Sequence, residues 1–587
     1  MKKSLLIVSL CFVGFSFYGQ YKFTQPDFFR KQRELPLIDM VTSVNVNVSD
    51  FGGIPDDGKN DRQAIMKALN FCKKVALTGA NIKLIFKKGT YDLFSAETDK
   101  KSHMIMLNGA NNILIEGNGA EIIIHNPSKG FFSIFKSKNI IVKDLFIDYD
   151  PLPFTQGKIV NVDLKERFFD LKIDAGFPQL SHEMFQKANR VWGMVMDANI
   201  PGKLKDGAPN LYGIKKFEEI SSGVFRLRTK RILLLNHLAV GDPYVHIART
   251  NGRTIFNTAG SKNITYLNIT SYSSPAGSYA ANSMEEWNVI GCQVKLKTGR
   301  IHSANADCFH INGGTFGPWI ENSLFEGYSD DAINMKATRA PILEQKSSTE
   351  LVVKQGVRKG DIIKIFNPRE GILIGEFEVI ENKFLGDRKM HITLKTPIEQ
   401  TLDVGGTKLN DIAYVDTQSN ESFVIRNNTF RNARRYGILL QNSYGIIERN
   451  VFENLSQSAI SAYNGADWGE GFVAHHIKIN QNIFNNCGYD ATYLKEYNAA
   501  TIRLNVNKLK NLEAKGKWNG VEATEWQGLE DFTITNNTFL YNKHALSIEC
   551  SVNTIIKSNK FIRNSKDLSK KGEIIFKNNN SNLVFEE

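Results

Sequence analysis

Ile425-Arg-Asn-Asn428-Thr-Phe430 returns as Ile447-Glu-Arg-Asn450-Val-Phe452, Ile479-Asn-Gln-Asn482-Ile-Phe484, Ile534-Thr-Asn-Asn537-Thr-Phe539 and Ile556-Lys-Ser-Asn559-Lys-Phe561. An upstream copy, Ile320-Glu-Asn-Ser323-Leu-Phe325, carries Ser in place of Asn. The Phe-to-Phe steps from Phe430 onward are 22, 32, 55 and 22 residues. A unit of about 22 residues, built from short alternating segments and polar corners, is a solenoid period. Such short strands bury no face alone. Stacked coils bury Ile, Val and Phe in one interior column, and each backbone group pairs with the coils above and below at about 4.8 Å. An Asn at a fixed corner can stack its amide on the next Asn and tolerates left-handed backbone geometry. The steps of 32 and 55 mark loops inserted at corners. A leucine-rich repeat would show a Leu pattern that is missing here, and a propeller blade needs a longer period. The expected fold is all-β, a right-handed parallel β-helix.

Looser copies begin at Asn112, Asn139 and Asn263. Two stretches break the rhythm. Residues 155–246 and 340–416 change to longer alternating strands, such as Phe168-Phe-Asp-Leu-Lys-Ile173 and Asp361-Ile-Ile-Lys-Ile-Phe366. Both are expected to be small antiparallel β modules inserted into the helix, as decoration or as the walls of a cleft. Upstream, Val48 to Asp61 leads into an amphipathic stretch, Arg62 to Leu77. A helix there, with Asp61 as its N-cap, would cover the open solenoid end, which otherwise exposes unpaired strand groups. Asp56-Asp57 falls in the turn before it and reads as structural. The expected order is thus a signal (1–19), N-terminal cap and first coils (20–154), a β module (155–246), coils (247–339), a second module (340–416) and final coils (417–587).

The first twenty residues, Met1-Lys2-Lys3, an apolar run from Leu5 to Phe17, then Gly19-Gln20, read as a secretory signal cut before Gln20. The run is too short to span a bilayer, and no other apolar stretch is long enough. The protein is expected to be exported, periplasmic or extracellular. Lys+Arg exceeds Asp+Glu by 73 to 61, a net charge of +12. Loss of Lys2 and Lys3 lowers this to +10. Export makes nucleic acid a poor partner for that charge; an anionic glycan or simple solubility remains. Cys72, Cys292, Cys308, Cys487 and Cys550 are few, scattered and odd in number. They form no disulfide framework and no CxxC zinc pair. His475-His476 is not expected to hold metal, because neighbours on a strand face opposite sides.

One stretch carries candidate chemistry: Asn305-Ala-Asp307-Cys-Phe-His310, then Asp330-Asp331-Ala-Ile-Asn334-Met-Lys336. Asp307 precedes the Asp pair by 23 and 24 residues, close to one coil. One coil's separation stacks residues about 5 Å apart along the axis. Three carboxylates then share a patch, and mutual repulsion should leave one protonated near neutrality. A protonated acid beside ionised carboxylates suits glycoside hydrolysis. One group protonates the leaving oxygen while another activates water, the carboxyls standing about 6.5–9.5 Å apart for inversion. Clustered carboxylates can instead bind Ca²⁺, with a basic side chain as the catalyst of a lyase; Lys336 is the near candidate.

The Val48–Asp61 phrase with Phe86-Lys-Lys-Gly89-Thr-Tyr91 resembles the start of pectate-lyase and polygalacturonase β-helix proteins. Asn305-Ala-Asp307 with Asp330-Asp331 resembles the Asn-x-Asp and Asp-Asp motifs of polygalacturonases. A closer likeness is to glycoside hydrolase family 110, exo-acting α-1,3-galactosidases. It is carried by Ala306-Asp307-Cys308-Phe309-His310, by Ile320-Glu-Asn-x-x-Phe-Glu-Gly followed by Asp330-Asp331-x-Ile-Asn334, and by Arg435-Tyr-Gly-Ile-Leu-Leu. The resemblance implies release of terminal α-1,3-linked galactose with inversion, no cofactor and no metal, with Asp307, Asp330 and Asp331 as catalytic carboxylates of unassigned roles. Cys308 and the Ala332-to-Lys336 stretch depart from the family pattern, so the substrate is open.

Asn305, His310, Asn334 and Lys336 are candidate substrate-binding residues beside the carboxylates. Arg434, Arg435 and Gln441, at a strand corner after the second module, are candidates for the same groove. Trp468 and Glu470 lie in the loop that lengthens one step to 32 residues; an exposed Trp can stack on a sugar face. The expected partner is a galactose-containing oligo- or polysaccharide. The competing readings are a lyase or other hydrolase acting on an anionic, for example sulfated, polysaccharide, and a non-catalytic glycan-binding solenoid. Aromatic ladders without clustered carboxylates would mark the last. Homo-oligomerisation is left open.

Overall fold

The computed structural model describes residues 23–96, 98–229, 232–354, 356–496, 498–509, 520–562, 573–576 and 579–586. The proposed signal segment lies outside them. Among the described residues, 33 strands join side by side in one parallel assembly, the wall of a β-helix. Its inward side chains form one continuous apolar core from Val46 to Ile556. No helix among these residues is long and apolar enough to cross a membrane.

The repeat that announced the fold is visible as two columns. Phe325, Phe430, Phe452, Phe484, Phe539 and Phe561 stack face to face, with successive ring centroids 5.2, 4.7, 5.1, 4.9 and 4.9 Å apart. Beside them Asn428, Asn450, Asn482, Asn537 and Asn559 form a buried amide ladder, each Nδ2 donating to the next Oδ1 at 3.0 Å. Each Oδ1 also accepts the backbone N–H of the ladder residue one coil earlier, at 2.9 Å. Ser323 keeps its place in the column through its own N–H, which donates to Asn428 Oδ1 at 2.9 Å.

The ladder corrects one expectation. Left-handed geometry falls on the residue before each ladder position: Asn427, Arg449, Gln481, Asn536 and Ser558 all have φ between 55° and 58°. The Asn amide satisfies buried backbone groups; its neighbour makes the turn. In the upstream coils one residue does both, since Asn112, Asn139 and Asn263 have positive φ and link amide to amide at 2.9 Å.

The helix Arg62–Ala76 covers the N-terminal end, burying Ile65, Leu69 and Cys72 against the first coils. Asp61 precedes it, but its side chain does not cap the helix. Its carboxylate accepts the N–H groups of Ile54 and Asp92 instead, tying the turn to a strand. All five described cysteines are buried and free.

Both interruptions are closed six-stranded antiparallel barrels. The first runs from strand Phe154–Asp163 to strand Pro243–Arg249, and the second from Thr338–Gln345 to Ile412–Val415. Each has its own apolar core. Closure removes the open edges that a small inserted sheet would expose. Finally, an N-terminal strap crosses the outside of the coils. Phe23, Phe28, Phe29 and Ile38 pack on Leu267, Ile290, Trp319, Val424 and Ile446, and Arg30 binds Glu421 at 2.6 Å and Asp416 at 3.2 Å.

Candidate active site

Strand register builds the site. Strand Phe309–Phe316 pairs with Ile333–Lys336 so that Phe309 faces Ile333, His310 faces Asn334 and Asn312 faces Lys336. Extended back by two residues, this offset stacks Asp331 on Asp307. The Asp331 N–H donates to Asp307 Oδ1 at 3.0 Å, and the Cys308 N–H donates to the Asp331 carbonyl at 3.0 Å. The next coil aligns Ile333 with Ile438, which brings Arg435 beside Asp330. The intervening residues hold the second barrel, which bulges out and leaves the coil contact intact. On the other side Gly277 is required: a Cβ there would stand 2.2 Å from the Asp307 carbonyl oxygen.

The three carboxylates line a cavity of about 410 Å³ together with His310, Asn334, Lys336, Arg435, Trp468 and Glu470. Six of the nine expected substrate-binding residues therefore meet at one place. Asn305, Arg434 and Gln441 lie outside the lining, Arg434 being buried behind it with its guanidinium donating to the Ser329 carbonyl. Asn305 is fully buried, donates to the Pro153 carbonyl at 2.7 Å and bonds His302, which joins its coil to the start of the first barrel. Gln441 donates to the Tyr463 carbonyl and packs against Gly471, behind the loop that carries Trp468. Trp468 is 50% exposed. Lys408 of the second barrel holds this loop through the Asp467 carbonyl, at 2.6 Å.

The carboxylates differ sharply in surroundings. Asp330 is clamped by Arg249, at 2.6 Å, and by Arg435, with Arg434 at 3.9 Å. Burial alone would raise its pKa, but these three guanidinium charges hold it well below the usual carboxylate range. Asp331 is fully buried. Its Oδ2 accepts from Asn334 at 3.1 Å, while its Oδ1 has no hydrogen-bond partner and lies 3.6 Å from Arg435 Nε. Burial pushes Asp331 up to about 8; Arg435 opposes this, and the charges of Asp330 and Asp307 add to it. Asp307 pairs through Oδ2 with His310 Nδ1 at 2.6 Å. Near neutral pH this sets a neutral Asp331 beside an ionised Asp330. The Oδ1 of Asn334 is a second buried acceptor without a protein partner, free to meet a ligand hydroxyl.

The candidate ligand oxygens of Asp307, Asp330 and Asp331 lie within 4.8 Å of one another. That is tighter than the spacing of about 6.5–9.5 Å expected for carboxyls flanking a water. The trio fits a hard divalent cation poorly. Both Asp330 oxygens are taken by arginines, whereas such an ion needs several available oxygens. Lys336 donates to Glu470 at 2.8 Å, so its amine is not poised as a lyase base. The two histidines depart from their expected geometry. His476 has φ of 56°, which turns its ring to meet His475 at 3.0 Å; the pair bonds Asp416 and Asp531.

Sequence reasoning missed the first barrel's contribution. Arg190 and Arg249, at the ends of two of its strands, line the cavity, as do Asn251 and Tyr463. Asn282 and Asn312 stack in register along the floor, amide to amide at 3.1 Å. The first barrel is thus a cleft wall; the second braces the loop opposite.

A family model described as right-handed β-helix region matches residues 411–586. The chain is 25% identical to Alpha-1,3-galactosidase B of Akkermansia muciniphila over 474 residues, covering 75% of this chain and 58% of that protein. It is 24% identical to Alpha-1,3-galactosidase A of Shewanella woodyi over 484 residues, covering 77% of each. Among solved structures, a family 28 exopolygalacturonase of Yersinia enterocolitica aligns at 11% identity with a TM-score of 0.38, over 92% of this chain and 77% of that one. The chain is a right-handed β-helix protein, distantly related at low identity to β-helix enzymes that include several named alpha-1,3-galactosidases.

Proposed function

We propose that the protein is an exported glycoside hydrolase that releases terminal α-1,3-linked galactose, inverting the anomeric centre as the family resemblance implies even though its carboxylate oxygens group more tightly than the usual inverting spacing. The observation that carries this reading is the stacked acidic trio, one member neutral near pH 7, lining a cavity sized for a sugar. The names of its relatives supply the sugar and the linkage.

Asp331 is the general acid. Its proton is held by burial and by two neighbouring negative charges, and protonation of the leaving oxygen needs such a poised acid. Asp307, hydrogen-bonded to His310, activates the water; His310 orients it and shares the proton withdrawn. Asp330, locked in its ionised form, opposes the positive charge that develops on the ring in an oxocarbenium-like transition state. Asn334 and the Lys336–Glu470 pair bind ring hydroxyls, and Trp468 covers the apolar face of the sugar.

The test is galactose release from galactosyl-α-1,3-galactose by the wild type and by Asp307→Asn, Asp330→Asn and Asp331→Asn. Loss of one catalytic acid or base is expected to lower kcat by about 10²–10⁴. Full activity in all three variants would remove the site assignment. Proton NMR of the first-formed galactose reads the stereochemistry. An α product would mean retention and a covalent intermediate instead.

A further inference from the structure

Arg190 opens strand Arg190–Val195, and its cross-strand partner in the barrel is Arg249. Residues directly opposite on antiparallel strands point to the same face with Cβ atoms about 5 Å apart, and like charges there are destabilising. Arg249 is compensated, because it binds Asp330 at 2.6 Å and Asn251 at 2.9 Å. Arg190 is not: it lines the cavity, is exposed, and its side chain makes no hydrogen bond or ion pair among the described residues.

The other cations of the lining are spoken for. Arg435 clamps Asp330, and Lys336 binds Glu470. The four cationic side chains of the wall face Asp307, Asp330, Asp331 and Glu470. With Asp331 carrying its proton, positive charge is in excess, and it sits on Arg190. A neutral galactoside offers nothing to neutralise it. A planar guanidinium with its full fork free matches a sulfate or carboxylate in bidentate geometry.

We infer that the glycan taken by this cavity carries an anionic group, a sulfate ester or a carboxylate, which Arg190 binds at the barrel edge of the site. This rests on the reading of the cavity as a galactoside site and narrows its substrate class. The unbalanced Arg190–Arg249 pair is then relieved when substrate enters.

The test compares five disaccharides on the full chain: neutral galactosyl-α-1,3-galactose, the two forms with a 6-sulfate on either ring, and the two forms with a C6 carboxylate on either ring. Affinities are read by calorimetry in the Asp331→Asn background at low salt, with galactose release followed in the wild type. At least one anionic form is expected to bind ten-fold or more tighter than the neutral one. Arg190→Gln should collapse that preference to about one, and Arg190→Lys should restore part of it. The sulfate and carboxylate arms tell the two sources apart. Equal affinity for neutral and anionic forms, no measurable binding of any anionic form, or a preference that survives Arg190→Gln would each overturn the inference. The outcomes separate from those of the parent proposal. Arg190-dependent anion binding without galactose release sinks the galactosidase reading alone, while equal release from neutral and anionic forms sinks this one alone.

Discussion

Asp330 and Asp331 are neighbours in sequence and opposites in charge state. Three guanidinium groups reach the first, while the second has burial and like charge against it. The pH dependence follows. As a general acid Asp331 must be protonated, so kcat/KM should fall as pH rises through about 8. A pH–rate profile that stays flat to pH 9.5 would remove Asp331 from that role. Stability carries the same sign. The folded chain keeps a proton that an unfolded Asp releases near pH 4, so ionising Asp331 destabilises the fold as pH rises from about 4 through about 8. Denaturant unfolding across that window should show a decline that Asp331→Asn flattens. The trio was legible in the sequence because one coil is a linear distance of 23 to 24 residues. Arg190 and Arg249 were not, because a barrel inserted between coils brings them to the site, and no spacing along the chain encodes that fold-back.

At the scale of elements, the repeat phrase gave the strands, the Phe stack and the Asn column directly, since a buried amide ladder needs one residue type at one position. The left-handed turn was misplaced by one residue, because Arg449 and Gln481 take that geometry with no marker in their type. Their N–H groups are held by the carbonyls of Asn480 and Thr535 in the next coil, at 3.1 and 3.2 Å, and that overrides residue preference. The ladder should therefore matter to stability. Asn450→Ala removes the acceptor of the Asn428 N–H and of one hydrogen of the Asn428 amide, and takes the amide donor from the Ile425 carbonyl. An unsatisfied buried polar group costs about 1–3 kcal/mol, so a loss of about 2–4 kcal/mol is expected in urea unfolding. A change under about 0.5 kcal/mol would mean that the coils relax around the gap.

At the scale of the molecule, the described residues form one continuous solenoid core with two barrels set into it. The sequence showed where the rhythm broke but not that the modules close. Closure depends on pairing between first and last strands, such as Thr338 with Val415, which local patterning does not record. The barrels also supply the charge balance of the site, because Arg249 contributes to an arginine clamp that occupies both oxygens of Asp330. Activity is accordingly expected to survive exhaustive dialysis against EDTA. Loss of activity restored by Ca²⁺ would reverse that conclusion and revive the lyase reading.

The strap from Phe23 to Ile38 ties the middle of the stack, reaching from Leu267 to Ile446, while the last coils, from strand Leu529–Thr535 onward, lie beyond its contacts. Drawn from its C-terminus in an optical trap, the chain should therefore behave as two springs. The distal coils should come away one by one, each 22-residue turn releasing about 75 Å of contour at about 3.3–3.6 Å per residue. The strapped coils should then resist as a block and rupture together at a higher force. Severing the lash with Arg30→Ala and Phe29→Ala should merge the two regimes into one uniform sawtooth.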